Sequence, residues 1–315
     1  MLTIHDINDH SPVFTCKSPF VVHISESVPP GVEYALPTAA DADSRHFAVQ
    51  RYVLGTRVPQ SSPFRLLVKR KPDGSVDVRL VVERSLDRET VSSYRLTLTT
   101  FDGGRPPRSA SVQIAVVILD INDNRPTFDR SSYDATVDES LPTGSTVLRL
   151  RADDDDDGAN AVVRYYMSSA SHASYGDVFA VDKVTGDLVV VGGLDFERVS
   201  VYHFEVCAVD SGPEVVTSSD VAVVVRVTDV NDNAPVIAVN TLTTSATHVV
   251  DVVENAAAGT FVGHVTVRDD DSGSNGQASC SLTSRSVDSP LRLEQIFDTE
   301  YQVCPSVYAN VPYVV

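Results

Sequence analysis

One short acidic motif occurs three times in this sequence at a nearly constant interval. It occupies residues 6–10, 120–124 and 229–233, and the last two copies read Asp-x-Asn-Asp-Asn. Self-similarity at a period of about 110 residues indicates tandem copies of one structural unit. The sequence therefore predicts the end of one repeat with its linker at 1–10, complete repeats at 11–124 and 125–233, and a partial, truncated repeat at 234–315.

Alternating side chains predict that each repeat is built from strands. Tyr94, Leu96 and Leu98 fall on one face, and the residues between them are Arg or Thr. The same apolar face returns at 202–206. No segment has a convincing period of 3.6 residues, and short strands separated by Gly, Pro and Asp favour a β-sandwich in each repeat. We expect an all-β fold.

The recurring markers consist of oxygen-bearing side chains at loops and strand ends. Asp, Glu, Asn and backbone carbonyls are the ligands that Ca²⁺ prefers, with six to eight oxygens per ion. Carboxylates that converge without a cation repel one another. The sequence therefore predicts calcium sites at the three acidic motifs, which we call the N-terminal (6–10), middle (120–124) and C-terminal (229–233) linkers.

Composition and motif content exclude several other classes of function. The 43 Asp and Glu residues against 25 Lys and Arg give a net charge of -18, which disfavours nucleic acid as a partner. No apolar run approaches the roughly 18 residues that span a bilayer, so a membrane anchor is expected outside this chain. Paired carboxylates also occur in glycosidases, but an active site would not recur in every repeat. We expect no catalytic residues.

The motifs taken together resemble the cadherin superfamily. Ile24-Ser25-Glu26, Leu86-Asp87-Arg88-Glu89, the Asp-x-Asn-Asp-Asn linkers and Asp154-x-Asp156-x-Gly158-x-Asn160 occur in the order typical of the family. Details such as Pro29-Pro30-Gly31 are similar to protocadherins, at their second, third and opening fourth extracellular repeats. The resemblance implies tandem Greek-key, immunoglobulin-like β-sandwich repeats joined by calcium-binding linkers.

The same resemblance implies about three Ca²⁺ ions at each of the two complete linkers, which are the middle and the C-terminal one. The ligands implied at the middle linker are Glu26, Asp87, Glu89, Asp120, the Ile121 carbonyl, Asn122, Asp123, the Asn124 carbonyl, Asp154, Asp156, the Asn160 carbonyl and Asp210. Those at the C-terminal linker are Glu139, Asp195, Glu197, Asp229, the Val230 carbonyl, Asn231, Asp232, the Asn233 carbonyl, Asp269, Asp271 and Asn275. Within the run of five aspartates at 153–157, the phase of the motif directs only Asp154 and Asp156 inward.

The N-terminal linker departs from the pattern. His10 replaces the final Asn, a position that contributes its backbone carbonyl, and the Gly-x-Asn that should follow Asp43 is missing. The implied ligands there are Asn8, His10, Asp41, Asp43 and Asp102. At the C-terminal linker, Phe196 replaces an Arg that is not a ligand, so that site should remain.

The cysteines give weaker signals. Cys280 falls at a core position, and a disulfide between Cys280 and Cys304 is one alternative for this pair. Cys207 falls at an outward position of its strand, so we expect an exposed thiol there.

The function implied by the resemblance is calcium-dependent homophilic cell–cell adhesion. Ca²⁺ would stiffen the linkers, so that the ectodomain can pair with the same protein on an opposing cell. It would also contact cis partners on its own cell. The expected location is the extracellular side of the plasma membrane, with the anchor outside this chain. The alternative is a calcium-stiffened spacer or receptor ectodomain that does not adhere and binds a different partner.

Overall fold

The computed structural model describes residues 5–44, 46–56, 62–72, 74–241, 252, 256–283 and 291–305. These residues form strands and one short helix, which confirms the predicted all-β fold class. They divide into two compact units. The first comprises the described part of 1–129 with 152–164 and 208–219, and the second comprises 130–151, 165–207 and the described part of 220–315.

Nine strands precede the middle linker among the residues that the structure describes. They are β1 (Val13–Phe14), β2 (Phe20–Ser25), β3 (Glu33–Ala35), β4 (Ala39–Ala40), β5 (Arg51–Thr56), β6 (Phe64–Arg70), β7 (Val76–Val82), β8 (Ser93–Phe101) and β9 (Ser109–Leu119). The sheets have the orders β2-β9-β8-β5 and β3-β7-β6, with β1 paired to β4. Within the first, β2 runs parallel to β9, and the other two pairs are antiparallel.

The chain between the middle and C-terminal linkers repeats this arrangement. Its elements are β10 (Thr127–Phe128), β11 (Ser132–Asp138), β12 (Thr146–Arg149), β13 (Ala152–Asp153), β14 (Arg164–Met167), α1 (Ser169–Tyr175), β15 (Phe179–Val181), β16 (Asp187–Val190), β17 (Val201–Val209) and β18 (Val221–Thr228). The sheet orders are β11-β18-β17-β14 and β12-β16-β15, and β10 pairs with β13. The pair β11 and β18 is parallel.

Four strands follow the C-terminal linker among the described residues. They are β19 (Val236–Thr241), β20 (Gly263–Arg268), β21 (Leu291–Phe297) and β22 (Glu300–Pro305), in the order β19-β20-β22-β21. Val265, Val267 and Tyr301 are buried there, and Cys280 packs against them.

Alternation along the strands builds the cores. In the first unit, Leu96 and Leu98 of β8 share one buried cluster with Val78 and Leu80 of β7, so the two sheets pack face to face. In the second unit, the Phe179 ring of β15 lies 5.0 Å from the Tyr202 ring of β17. Both cores are those of a β-sandwich, in which every second side chain of a strand points toward the opposite sheet.

Two local expectations, on helical content and on Cys207, need correction, and the structure decides the alternative left open for Cys280 and Cys304. The helix α1 was not visible in the sequence pattern, and it begins where the Ser168 side chain accepts the Ser171 N–H. The structure contains no Cys280–Cys304 disulfide, because all four cysteines are free. Cys207 is partly buried rather than exposed, and this burial raises the pKa of its thiol.

Replacing Leu98 by Ala should destabilise the first unit by about 2–5 kcal/mol, because the fully buried side chain leaves a cavity between the sheets. Urea-dependent hydrogen exchange of peptides from β8 and β9 measures this loss without interference from the rest of the chain. The control is Val53→Ala on neighbouring β5, where the side chain is 40% exposed and the loss should stay below about 1 kcal/mol. Equal losses in the two variants would contradict the assigned core.

Candidate metal centres

Strand pairing brings the acidic residues of each complete linker together. Since β2 and β9 are parallel, Glu26, which follows β2, lies beside the linker that follows β9. Its N–H donates to the Leu119 carbonyl at 3.1 Å. In the second unit, β11 and β18 place Glu139 in the same way, with its N–H 3.2 Å from the Thr228 carbonyl. The topology thus puts one Glu at each of these two linkers.

Backbone hydrogen bonds hold the carboxylates of these glutamates. Glu26 accepts the Ile121 N–H at 2.8 Å and the Arg88 N–H at 2.7 Å, and only 7% of the residue is exposed. Glu139 accepts two equivalent backbone bonds at 2.7 Å each. Each Glu therefore connects three chain segments: its own strand, the linker, and the turn that precedes β8 in the first unit or β17 in the second.

The Asp-x-Asp elements form the same turn at all three linkers. The Asp156 N–H donates to Asp154 Oδ1 at 3.0 Å. The other two turns have the equivalent bond at 3.1 Å, from the N–H of Asp43 to Asp41 and from the N–H of Asp271 to Asp269. Asp156 is buried and Asp154 partly buried, whereas the other three residues of the aspartate run are exposed, as the motif phase predicted.

Asparagines connect the linkers to these turns. The Asn124 amide donates to Asp156 at 2.7 Å and to Asp123 at 3.1 Å, and Asn233 makes the same two bonds at 2.9 and 3.0 Å. Asn160 donates to Asp120 at 2.8 Å. In the second unit, Asn275 donates to Asp229 and Asn231 donates to the Asn275 carbonyl, at 2.8 and 3.5 Å.

The N-terminal linker reaches the same geometry with different residues. The His10 ring nitrogen Nδ1 lies 2.8 Å from Asp9 and 2.9 Å from Asp43, where the other linkers use an Asn amide. The Ser44 hydroxyl donates to Asp6 at 3.1 Å, where the other linkers use the Asn of Gly-x-Asn, and the Ser44 N–H donates to the same oxygen at 2.8 Å. Both carboxylates raise the pKa of His10, the bond to Asp43 most strongly. Sequence reasoning missed the structural roles of Ser44 and of the His10 ring.

The late aspartates are buried and held by their own turns. Asp102 accepts the backbone N–H groups of Gly104 and Arg108 at 3.0 and 2.8 Å, and 4% of the residue is exposed. Asp210 accepts two equivalent bonds at 3.0 and 2.7 Å and is 3% exposed. Each therefore places a carboxylate at its linker without a cationic side chain among these bonds.

Carboxylate oxygens from separate segments lie within 4.8 Å of one another in four groups at the complete linkers. The groups are Glu26 with Glu89 and Asp120, Glu89 with Asp123 and Asp156, Glu139 with Glu197 and Asp232, and Glu197 with Asp229 and Asp271. Asp87 and Asp195 belong to none of them. Asp87 instead accepts the Thr90 N–H at 2.9 Å, and Asp195 accepts the Arg198 N–H at 2.8 Å.

Unsatisfied buried oxygens test whether a cation fits these groups. Among the described residues, eight buried side-chain oxygens have no hydrogen-bond partner, and all eight belong to predicted ligands. They are on Asn8, Asp41, Asp102, Asn122, Asp154, Asp156, Asp229 and Asp271. Buried polar atoms are otherwise almost always paired. The donor set, oxygen throughout, is the one that a hard cation such as Ca²⁺ requires.

Crowding of the carboxylates shifts their titration. Partial burial raises the pKa of Glu89, and the Glu26 charge raises it further. The pKa of Asp123 and that of Asp154 are raised by desolvation first and by neighbouring carboxylates second. At the C-terminal linker, desolvation and then Glu139 raise the pKa of Asp232. Ionising these groups together is therefore unfavourable when no cation is bound.

The Arg88 side chain lies among the carboxylates at the middle linker, and sequence reasoning did not predict this position. Its guanidinium pairs with Asp120 and with Glu89, and it donates to the Asp155 carbonyl at 2.5 Å. Only 14% of the side chain is exposed. The equivalent residue of the C-terminal linker is Phe196, whose backbone N–H is bound to Glu139 but whose side chain has no charge.

Comparison with known proteins identifies the repeats. The family model described as "Cadherin domain" matches residues 20–119 and 133–228, so the chain belongs to the cadherin family. Human protocadherin alpha-6 is 37% identical over 300 residues, which covers 95% of this chain and 30% of that protein. The chain therefore spans about 30% of the length of the curated relatives it matches.

Solved structures agree with this assignment. The structure of protocadherin gamma B7 extracellular cadherin domains 1–4 is 37% identical, with a TM-score of 0.72, and the match covers 96% of this chain and 69% of that one. The protocadherin gammaB7 EC3-6 cis-dimer structure is 27% identical, with a TM-score of 0.70, and the match covers 98% of this chain and 72% of that one. The predicted resemblance to protocadherins is confirmed.

Family membership bears on the other predictions. Cadherins are adhesion proteins rather than enzymes, which agrees with the prediction against catalysis, and cadherin domains bind calcium at their linkers. No helix among the described residues is long and apolar enough to cross a membrane.

Replacing Asp154 by Asn should stabilise the chain in chelator but weaken its binding of calcium. In chelator the melting temperature should rise, because desolvation and the neighbouring carboxylates disfavour the Asp154 charge. In calcium the half-saturating concentration should increase roughly tenfold or more, because a charged ligand is lost. The control is Asp155→Asn, which removes an equal charge from an exposed residue of the same run. Identical behaviour of the two variants would argue against a metal site.

Calcium binding should release protons, and more of them as the pH falls from neutral toward the raised pKa values of the ligand carboxyls. The pKa values of Glu89, Asp123 and Asp154 are raised in the folded, cation-free chain. Their protonation therefore stabilises that form at acid pH, and this contribution is lost as the pH rises through the raised values. Calorimetric titrations in buffers of different ionisation enthalpy measure the protons released. Release that does not change with pH would contradict the raised pKa values.

Proposed function

We propose that this chain is part of a calcium-stiffened adhesion ectodomain that pairs with the same protein on an opposing cell. The observation that supports this most directly is the set of eight unpaired buried oxygens, all on predicted ligands and distributed over the three linkers. Calcium, when bound, supplies the positive charge and the high coordination number that such oxygens need. Membership of the cadherin family supports the same reading.

The proposed ligands at the middle and C-terminal linkers are the two sets implied by the family motifs, with about three ions at each linker. The N-terminal linker offers fewer groups, namely Asn8, Asp41, Asp43, Asp102 and the His10 carbonyl. The proposed repeats remain 11–124, 125–233 and the partial 234–315, with 1–10 closing a preceding repeat. The matched ranges 20–119 and 133–228 lie within the first two.

The residues of the middle linker explain why stiffness would depend on the cation. Glu26, Glu89, Asp120 and Asp156 come from four different segments of the first unit, and the Glu89 carboxylate lies within 4.8 Å of a carboxylate oxygen of each of the other three. Without a counter-charge, repulsion favours any motion that separates these segments. With the charge neutralised, the hydrogen bonds of Glu26 hold the linker in one arrangement. Extracellular sites of this kind bind at roughly 10⁻⁴–10⁻³ M, so they would be filled outside the cell.

The proposal that this chain pairs with a like molecule is based on its similarity to known proteins. Those compared are protocadherins, and one solved structure is described as a cis-dimer of protocadherin gammaB7. We propose an extracellular location at the plasma membrane, with trans pairing between identical chains and cis contacts on one cell. The anchor would lie in a segment outside this chain.

Millimolar calcium should raise the melting temperature of the chain and narrow its distribution of lengths in small-angle scattering, because the neutralised linkers lose their repulsion. Beads coated with the ectodomain that contains these repeats should then aggregate in calcium and disperse in chelator. Mixing them with beads that carry a related ectodomain tests whether pairing is homophilic, since like beads should separate from unlike ones.

The control is the same ectodomain with Asp123, Asp156, Asp232 and Asp271 changed to Asn, which should remain dispersed in calcium. Stiffening without aggregation would support the spacer or receptor alternative. If calcium changed neither the melting temperature nor the scattering, the proposed calcium mechanism would be wrong.

A further inference from the structure

The two complete linkers differ at one position that lies among their carboxylates. At the middle linker, the Arg88 guanidinium pairs with Glu89 and with Asp120, two of the proposed ligands. The same guanidinium donates to the Asp155 carbonyl at 2.5 Å, 67 residues away in the next repeat. One partly buried side chain thus contacts both sides of the linker.

In the described part of the C-terminal linker, the equivalent position provides no such cation. Phe196 stands at the equivalent position, and the carboxyls of Glu197 and Asp229 face each other directly. Asp271 brings a third carboxylate oxygen within 4.8 Å of both.

We infer that Arg88 is a resident cation that holds the middle linker together when calcium is absent and competes with calcium for the same carboxylates. This inference rests on the proposed function of the linkers. A guanidinium presents several N–H groups in a fixed plane, so it can bind two carboxylates and a carbonyl at once. Calcium would need the oxygens of Glu89 and Asp120 that Arg88 occupies. The middle linker would therefore bind calcium more weakly but lose less order on its removal.

The experiment exchanges the two residues, as Arg88→Phe and Phe196→Arg, in the full chain. Hydrogen exchange of peptides covering 120–124 and 229–233 is followed by mass spectrometry across a calcium titration. In chelator, Arg88→Phe should increase deuterium uptake at 120–124, and Phe196→Arg should decrease uptake at 229–233. The calcium concentration at half-protection should fall about two- to tenfold at the middle linker in Arg88→Phe and rise at the C-terminal linker in Phe196→Arg.

Two controls separate charge from geometry. Arg88→Lys keeps the charge but loses the planar fork, so its uptake in chelator should lie between those of the wild type and Arg88→Phe. Arg65→Phe makes the same change of residue at an exposed pair with Glu83 that includes no proposed ligand, and it should change neither linker. Phe is present at the equivalent position of the next repeat, so Arg88→Phe introduces a side chain already used there.

The outcomes distinguish this inference from the proposed function. If calcium protects both linkers in the wild type but the exchange variants behave like the wild type, Arg88 is not a resident cation and the calcium sites still stand. A weaker calcium response in Arg88→Phe would also overturn the inference, since Arg88 would then support binding. Absence of calcium protection in the wild type would instead reject the proposed function.

Discussion

The parallel pairing of the first long strand with the last strand decides where the charges of each complete repeat meet. Because β2 and β9 end at the same edge, Glu26 reaches the backbone of Ile121, and its carboxylate is fixed there by two hydrogen bonds. The turn that contains Glu89 is held against the same carboxylate. Negative charges that would separate in a flexible loop are thereby kept within 4.8 Å, so the requirement for a cation follows from the topology.

Much of this arrangement could be predicted because the relevant signals are local. The alternation at 94–100 shows the period of a strand, and the nearly constant interval between the acidic motifs shows the size of a repeat. The Asp-x-Asp turn forms through a bond between residues two apart, so the inward phase of Asp154 and Asp156 follows from the motif alone. The ligand sets were implied by family resemblance, because the contact between Glu26 and Asp120 depends on pairing distant strands.

Features that depend on the packing of distant segments were harder to predict from the sequence. Helix α1 has seven residues, too few for a 3.6-residue period to stand out. Cys207 does lie between the buried Val206 and Ala208, yet neighbouring residues cover part of its outward side. Arg88 belongs to a motif in which the Asp and Glu are the expected ligands. That its side chain turns into the linker depends on Asp120 and Asp155, which are far away in sequence.

The N-terminal linker separates two roles that the Asn of the motif combines. As a proposed ligand, this position contributes only its backbone carbonyl, which any residue supplies. As a structural element, its side chain must donate to two carboxylates, and the Asn amide has two N–H groups for this purpose. His10 approaches both Asp9 and Asp43 with a single ring nitrogen, so one proton has to serve two acceptors. The substitution therefore preserves the proposed coordination while replacing two separate amide N–H donors by one ring nitrogen that the two carboxylates share.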